Sequence, residues 1–218
     1  MWLRYRVTPV GMILIYFVRH GETEWNANDR IQGSSDIPLN AVGREQALRA
    51  APAFRLQRWD AVYSSPLSRA AETAQIICGE PECSRIIYED RIQERSFGAA
   101  EGLTADQRFR RFPGRAIPGA ESWEQLMERA DGFMARLVGR SAAIEEDTRY
   151  LVITHGGFIN AVLRLLHEQG IGPGRQVLAN LSCTLVTWDG RWSLAWYNRA
   201  TDSPAVECVY SGNTPADR

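Results

Sequence analysis

The chain contains no lysine: all 25 of its formally positive side chains, in 218 residues, are arginine. That absence excludes a phosphate loop built on a Walker lysine and any Schiff-base chemistry, which needs an amine. A GC-rich coding bias accounts for the preference. A dominant charge is also missing. The net charge is −1, so no global basic field draws in nucleic acid. No apolar run reaches the length of a membrane span. The four cysteines, Cys78, Cys83, Cys183 and Cys208, include no C-x-x-C pair, and no histidine lies near the first two. A structural zinc site is therefore not expected, and the thiols read as reduced and mostly buried in a cytoplasmic protein. No compact carboxylate or histidine cluster offers three ligands at one site, so neither a metal nor a cofactor is expected.

The N-terminus superficially imitates a secretory signal, with Arg4 and Arg6 ahead of an apolar run over residues 10–18. That run leads straight into Arg19-His20-Gly21-Glu22 without a small-residue cleavage site, and so reads as a buried strand. Residues 1–11 then form an N-terminal extension, loose or upstream of a start at Met12. Asn180-Leu181-Ser182 matches a glycosylation acceptor but carries no weight without a secretion signal.

What is present fits one globular domain with a full core. Residues 12–18 and 150–154 are continuous apolar runs, as in parallel strands covered on both faces. Shorter strands are expected at 61–63 and, edge-like, at 85–88. Helices are expected at 41–54 (Val42, Ala47, Leu48 and Ala51 near one face), at 66–77 with Pro66 in the first turn, at 122–138 behind a Ser122/Gln125 capping box, and at 157–169 before Gly170. Residues 184–188 and 192–197 flank a turn at Asp189-Gly190 and read as a hairpin. Strands alternating with helices imply an α/β fold with a mainly parallel sheet. The domain spans residues 12–198, and residues 199–218 read as a polar tail.

Two segments share one design. Each buried strand runs directly into a histidine followed by glycine: Arg19-His20-Gly21 and His155-Gly156-Gly157. Ligands in open α/β sheets sit beyond the carboxyl ends of strands, and glycine lets the backbone approach them. Arg69 follows Ser64-Ser65-Pro66-Leu67 in the first turn of its helix. Two arginines facing two histidines make a pocket for a dianion, since guanidinium donors match phosphate oxygens. The helix starting near Gly157 adds backbone N–H groups and its positive end. Such a site could stabilise a transferring phosphoryl group without a metal. Taken singly, Arg69 also fits a surface charge paired with Glu72, and Glu94 fits a salt bridge with Arg91 or Arg95. Ser64 and Ser65 lack a neighbouring base and are not nucleophile candidates. Glu22 and Thr23 read as supporting or capping groups, and His167 as a partly buried or surface residue.

Arg19-His20-Gly21-Glu22-Thr23 resembles the signature of the histidine phosphatase superfamily, which includes the cofactor-dependent phosphoglycerate mutases. Ser64 through Ala74 resembles its second motif. Glu94, Phe97-Gly98 and Glu101-Gly102 resemble its acid segment, Pro118 through Ser122 the run before its long helix, and His155-Gly156-Gly157 its second histidine motif. The motifs occur in family order over residues 12–169. The resemblance implies a phosphoglycerate mutase-like three-layer sandwich, a mainly parallel sheet flanked by helices. It implies that His20 attacks phosphorus and carries the phosphoryl group. Arg19, Arg69 and His155 hold phosphate oxygens, with Gly156 beside them and Asn26 and Gln32 around the phosphate. Glu94 protonates the leaving oxygen and then helps activate water; a bound phosphate dianion, as like charge, favours the protonated acid. By the same resemblance, the Gly21 carbonyl fixes the His20 tautomer.

The family's mutases carry a long basic insertion between the Glu-Gly motif and the Gly-Glu-Ser-like motif. Here that stretch is only residues 103–117, which argues for hydrolysis. The expected activity is a metal-independent phosphomonoesterase working through a phosphohistidine on a small phosphorylated metabolite. A phosphoglycerate mutase and a phosphoprotein phosphatase are the alternatives. The short stretch keeps Arg108, Arg110, Arg111 and Arg115. Arg108, Arg111 and Arg115 fit one helical face, either meeting a second anionic group or lying exposed against Asp106 and Glu101. Phe109 and Phe112 suggest a lid over the pocket. Glu121 and Ser122 fit substrate contact and helix capping about equally. The partner is a small phosphate ester, with neither nucleic acid nor membrane; an edge strand is available for a homodimer.

Overall fold

The apolar run before Arg19 forms strand β1 (Ile13–Arg19), and its alternating side chains feed two separate cores, as a period of two requires. Ile13, Ile15 and Phe17 enter one; Leu14, Tyr16 and Val18 enter the other. The computed structural model describes residues 11–79, 81–114 and 116–201, the side chains of residues 82 and 83 excepted. After β1 come α1 (Glu24–Ala27), α2 (Ala41–Arg55), β2 (Ala61–Ser64), α3 (Ser68–Cys78), β3 (Ile87–Tyr88), α4 (Ala105–Arg111) and α5 (Trp123–Ser141). Then follow β4 (Thr148–Thr154), α6 (Gly156–His167), β5 (Ser182–Trp188) and β6 (Trp192–Ala200).

The sheet order is β3-β2-β4-β1-β5-β6. The first four strands are mutually parallel, while β5 and β6 add an antiparallel hairpin. On one face α5 and α6 bury Phe133, Leu137, Phe158 and Val162 against the sheet. On the other, α2 and α3 bury Ala50, Phe54, Ala74 and Ile77. The result is the expected three-layer α/β sandwich. Ser122 and Gln125 close the expected capping box on α5.

Several local expectations need correction. Val42 and Leu48 are exposed; α2 packs instead through Gly43, Ala47, Ala50, Ala51 and Phe54. Small residues let α2 and α3 approach closely, and that contact outweighs raw hydrophobicity. The edge strand is only Ile87–Tyr88, because Glu82–Arg85 coils into a 3₁₀ turn. α3 begins at Ser68, two residues past Pro66. The hairpin carries β6 through Arg199 and Ala200, which pair with Cys183 and Ser182, so the tail begins later than residue 199. Cys78 and Cys183 are buried and in no disulfide, and burial pushes the Cys183 pKa up. The Cys83 side chain, Cys208, Arg115, residues 1–10 of the extension and residues 202–218 of the tail lie outside the described residues. Among those described, no helix is long and apolar enough to cross a membrane.

Candidate active site

Parallel pairing of β1 with β4 sets Arg19 opposite Thr154. The next residue of each strand, His20 and His155, therefore leaves the sheet at the same carboxyl edge. The His20 amide still bonds the Thr154 carbonyl at 3.0 Å, and the two buried rings lie 5.1 Å apart between centroids. His20 Nδ1 lies 2.6 Å from the Gly21 carbonyl oxygen. A carbonyl can only accept, so Nδ1 carries the proton and Nε2 the lone pair. Burial, then the charges of Arg69 and Arg19, holds the His20 pKa well below the ordinary histidine value, against the opposing effect of the Gly21 bond. The ring is thus neutral near pH 7, as a nucleophile must be.

The backbone around His20 leaves no spare room. The Gly21 amide donates to Thr73 Oγ1, and a Cβ on Gly21 would meet the Gly43 carbonyl oxygen at 2.6 Å. Asn180 Nδ2 donates to the His20 carbonyl at 2.9 Å.

β2 applies the same strand-end logic a third time. Ser64 pairs with Ile153, and Ser65, the next residue, places its hydroxyl 2.7 Å from His155 Nε2. The expectation that Ser65 lacks a base is thereby corrected: the base arrives from ninety residues away. The hydroxyl accepts from the Leu67 amide, and His155 Nε2 is the one acceptor for its proton among the described residues, so the hydroxyl donates there. That leaves the ring proton on Nδ1, which has no partner among the described residues. Burial, then Arg69, His20 and Arg19, pushes the His155 pKa well below its ordinary value.

Arg69 is fully buried and does not pair with Glu72, which binds Arg44 at 2.6 Å. Its Nη1 and Nη2 donate to the carbonyls of Ser35 (2.8 Å) and Gly33 (2.7 Å). Glu101, which the sequence offered as a counter-charge to the Arg108 face, instead ties this loop down. It accepts from the amides and hydroxyls of Ser34 and Ser35 and from the Phe97 amide. Gly33 has φ +62, and a Cβ there would meet Glu101 Oε1 at 2.2 Å, so glycine is required twice over. Arg19 donates through Nη1 to the Leu178 carbonyl. The Nε of each arginine is buried without a partner among the described residues. Burial lowers both arginine pKa values, with the charge of Glu94 opposing.

Glu94 pairs with neither Arg91 nor Arg95. Arg91 turns to Glu89, and Arg95 lies over the rings of Phe97 and Trp123. The Glu94 carboxylate instead accepts from the Arg95 amide (2.8 Å) and the Gly157 amide (3.1 Å), which seats it at the start of α6. A Cβ on Gly157 would lie 2.1 Å from Glu94 Oε1, so glycine there makes room for the acid. Gly156 flanks Arg19: a Cβ would lie 3.6 Å from its Nε.

Arg19, His20, Arg69, Glu94, His155 and Gly156 are thus brought together. Asn26 and Gln32 reach the set through neighbours. Asn26 Oδ1 accepts from Thr23 and lies 3.5 Å from Asn180 Nδ2, and Gln32 is buried next to Gly33. Thr23 caps α1, and Glu22 accepts from Asn40. Glu121 binds Arg129 with both oxygens while Ser122 caps α5, so both serve structure. His167 bonds the Gly172 carbonyl at the surface. Phe109 on α4 is 73% exposed. Among the described residues no group of three His, Cys, Asp or Glu is placed to hold a metal ion.

Paired strand-end histidines flanked by arginines, on a three-layer α/β sandwich, define a class of phosphate-handling enzymes. The model of the histidine phosphatase superfamily (branch 1) matches residues 15–200, and the chain belongs to that superfamily. An uncharacterised phosphatase of Bacillus subtilis, PhoE, is 37% identical over 70% of this chain and 76% of its own. A metal-independent phosphoserine phosphatase of Arabidopsis thaliana is 34% identical over 91% of this chain and 86% of its own. Among solved structures, a mycobacterial glucosyl-3-phosphoglycerate phosphatase superposes with a TM-score of 0.73 at 28% identity, over 85% of this chain and 98% of that one. Proteins named as phosphoglycerate mutases also match. The chain is a phosphatase of this superfamily.

Proposed function

We propose that the protein is a metal-independent phosphomonoesterase that acts through a phosphohistidine on His20 and takes a small phosphorylated metabolite. The observation that carries this reading is the His20 ring: buried, neutral, with Nδ1 committed to Gly21 and the Nε2 lone pair free beside two arginines. Nε2 attacks phosphorus as the bond to the ester oxygen breaks. Arg19, Arg69 and the Nδ1–H of His155 bind the phosphoryl oxygens, with Asn26, Gln32 and Gly156 around them. Glu94 gives its proton to the leaving oxygen. In the second half it takes a proton from water as water attacks phosphorus and the P–N bond breaks, which releases inorganic phosphate and restores His20. Charge on the transferring group is met by preorganised donors, so no metal is needed. The short segment carrying α4, in place of a long insertion, favours water as the acceptor over a second phosphorylated ligand.

Phosphate release from a panel of phosphomonoesters and phosphopeptides, with chelator present, tests this for wild type and His20→Ala. Turnover of small esters that survives chelation and vanishes in the variant is expected. Activity abolished by chelator and restored by a divalent metal would overturn the metal-free mechanism. Turnover of phosphopeptides alone would overturn the substrate class.

A further inference from the structure

A second group of arginines converges beside the acid, from three separate segments. Arg95 follows Glu94, Arg108 lies on α4, and Arg175 lies on the loop between α6 and β5. The guanidinium carbons of Arg95 and Arg175 lie 4.9 and 5.5 Å from the Trp123 ring centroid. Burial holds the Arg95 pKa below its ordinary value; the charges of Glu121 and Glu94 oppose this, and the like charges of Arg175 and Arg108 add to it. Among the described residues none of the three has a carboxylate within ion-pair distance. The nearby Glu121 is already taken by Arg129. Of the arginines that the sequence placed on one α4 face, Arg108 joins this group while Arg111 lies over Phe112. Gathering like charges costs free energy, which a bound anion would offset.

Arg175 also lines a cleft of about 420 Å³ shared with Arg19, Gly156 and Asn160, a size suited to a small ligand. The loop bearing Arg175 is tied to α6. Asn160 Nδ2 donates to the carbonyls of Gly156 and Gln176, and its Oδ1 accepts the Gln176 amide at 2.6 Å. The cleft therefore runs from Arg19 to a cation held on a fixed loop. We propose that Arg175, with Arg95 and Arg108, forms a second anion subsite that binds a carboxylate or phosphate on the leaving-group side of the ester. The substrate class is then a small phosphate ester carrying a second negative group. This rests on Arg19 being a phosphate ligand.

The test compares kcat/KM for 3-phosphoglycerate, propane-1,3-diol bisphosphate and glycerol 3-phosphate, whose leaving alcohol is uncharged. Wild type is expected to favour at least one doubly anionic ester over glycerol 3-phosphate by about tenfold or more, the worth of a charged hydrogen bond. Which one it favours separates a carboxylate from a phosphate as the second group. Arg175→Ala should collapse that ratio toward one, and Arg175→Lys should restore part of it. A preference that stays within twofold of wild type in Arg175→Ala overturns the subsite. Equal turnover of all three esters by wild type does the same and leaves the phosphatase reading standing; turnover of none of them, with phosphate release from other esters of the panel, overturns the subsite alone, and release from no ester overturns both.

Discussion

Burial and flanking arginines keep the imidazoles of His20 and His155 neutral, and this sets the pH behaviour of the protein. In the unfolded chain each histidine takes up its proton near pH 6.5; in the folded chain each resists until well below that. The unfolded state therefore binds more protons in this window, and stability rises with pH across it. The contribution is complete above the unfolded value and is lost as pH falls below about 6.5 toward the lowered folded values. Denaturant unfolding at pH 5 and pH 7 should show wild type weaker at pH 5, with a smaller difference in His155→Asn; equal stability at both pH values in wild type would contradict this. The acid limb of kcat/KM should likewise lie below the ordinary histidine range, since His20 must be neutral to attack. Ser65→Ala removes the hydroxyl that fixes the His155 tautomer. It should lower kcat by about tenfold, the worth of one hydrogen bond, and alter the pH profile, with the melting temperature little changed.

At the scale of elements, α6 both seats Glu94 and requires a glycine to do so. Gly157→Ala places a methyl against a carboxylate tip, which can swing aside with little loss of stability. The acid is then misplaced, and kcat should fall by about 10²-fold while thermal melting stays near wild type. A variant with full kcat would remove Glu94 from its assigned role. Glu101→Gln loosens the loop whose carbonyls hold Arg69, so KM should rise while kcat changes less. The strand-end histidines were legible because a continuous apolar run ending in His-Gly has few other readings in an α/β chain. The bond between Ser65 and His155 was not, since it needs the pairing of β2 with β4, although Ser65 obeys the same strand-end rule. The buried face of α2 was misjudged because close packing by alanine and glycine leaves little hydrophobic signal, whereas Val42 and Leu48 give a strong one while facing solvent. Glu101 is another contact that local sequence does not display, since its partners on the Gly33 loop lie more than sixty residues away.

In the whole molecule β1 belongs to both cores and carries His20 at its end, so stability and catalysis share one strand. Phe17→Ala opens the α5/α6 side and should cost about 3–5 kcal/mol, read as a lower denaturant midpoint; an unchanged midpoint would mean that the two layers do not fold as one. The layer order was readable from the alternation of strands and helices, and the antiparallel hairpin from Asp189-Gly190. The order in which the strands lie side by side was not, because local periodicity does not encode which strands become neighbours. Yet that order is what brings Ser65, His155 and His20 to one edge from three adjacent strands. The most direct measurement is acid-free rapid quench of the enzyme during turnover, followed by mass spectrometry of its peptides. One phosphoryl group on the His20 peptide, labile to acid and absent in His20→Ala, is the predicted result. Steady turnover with no phosphorylated His20 peptide at any time point, or a phosphoryl group on another residue, would contradict it.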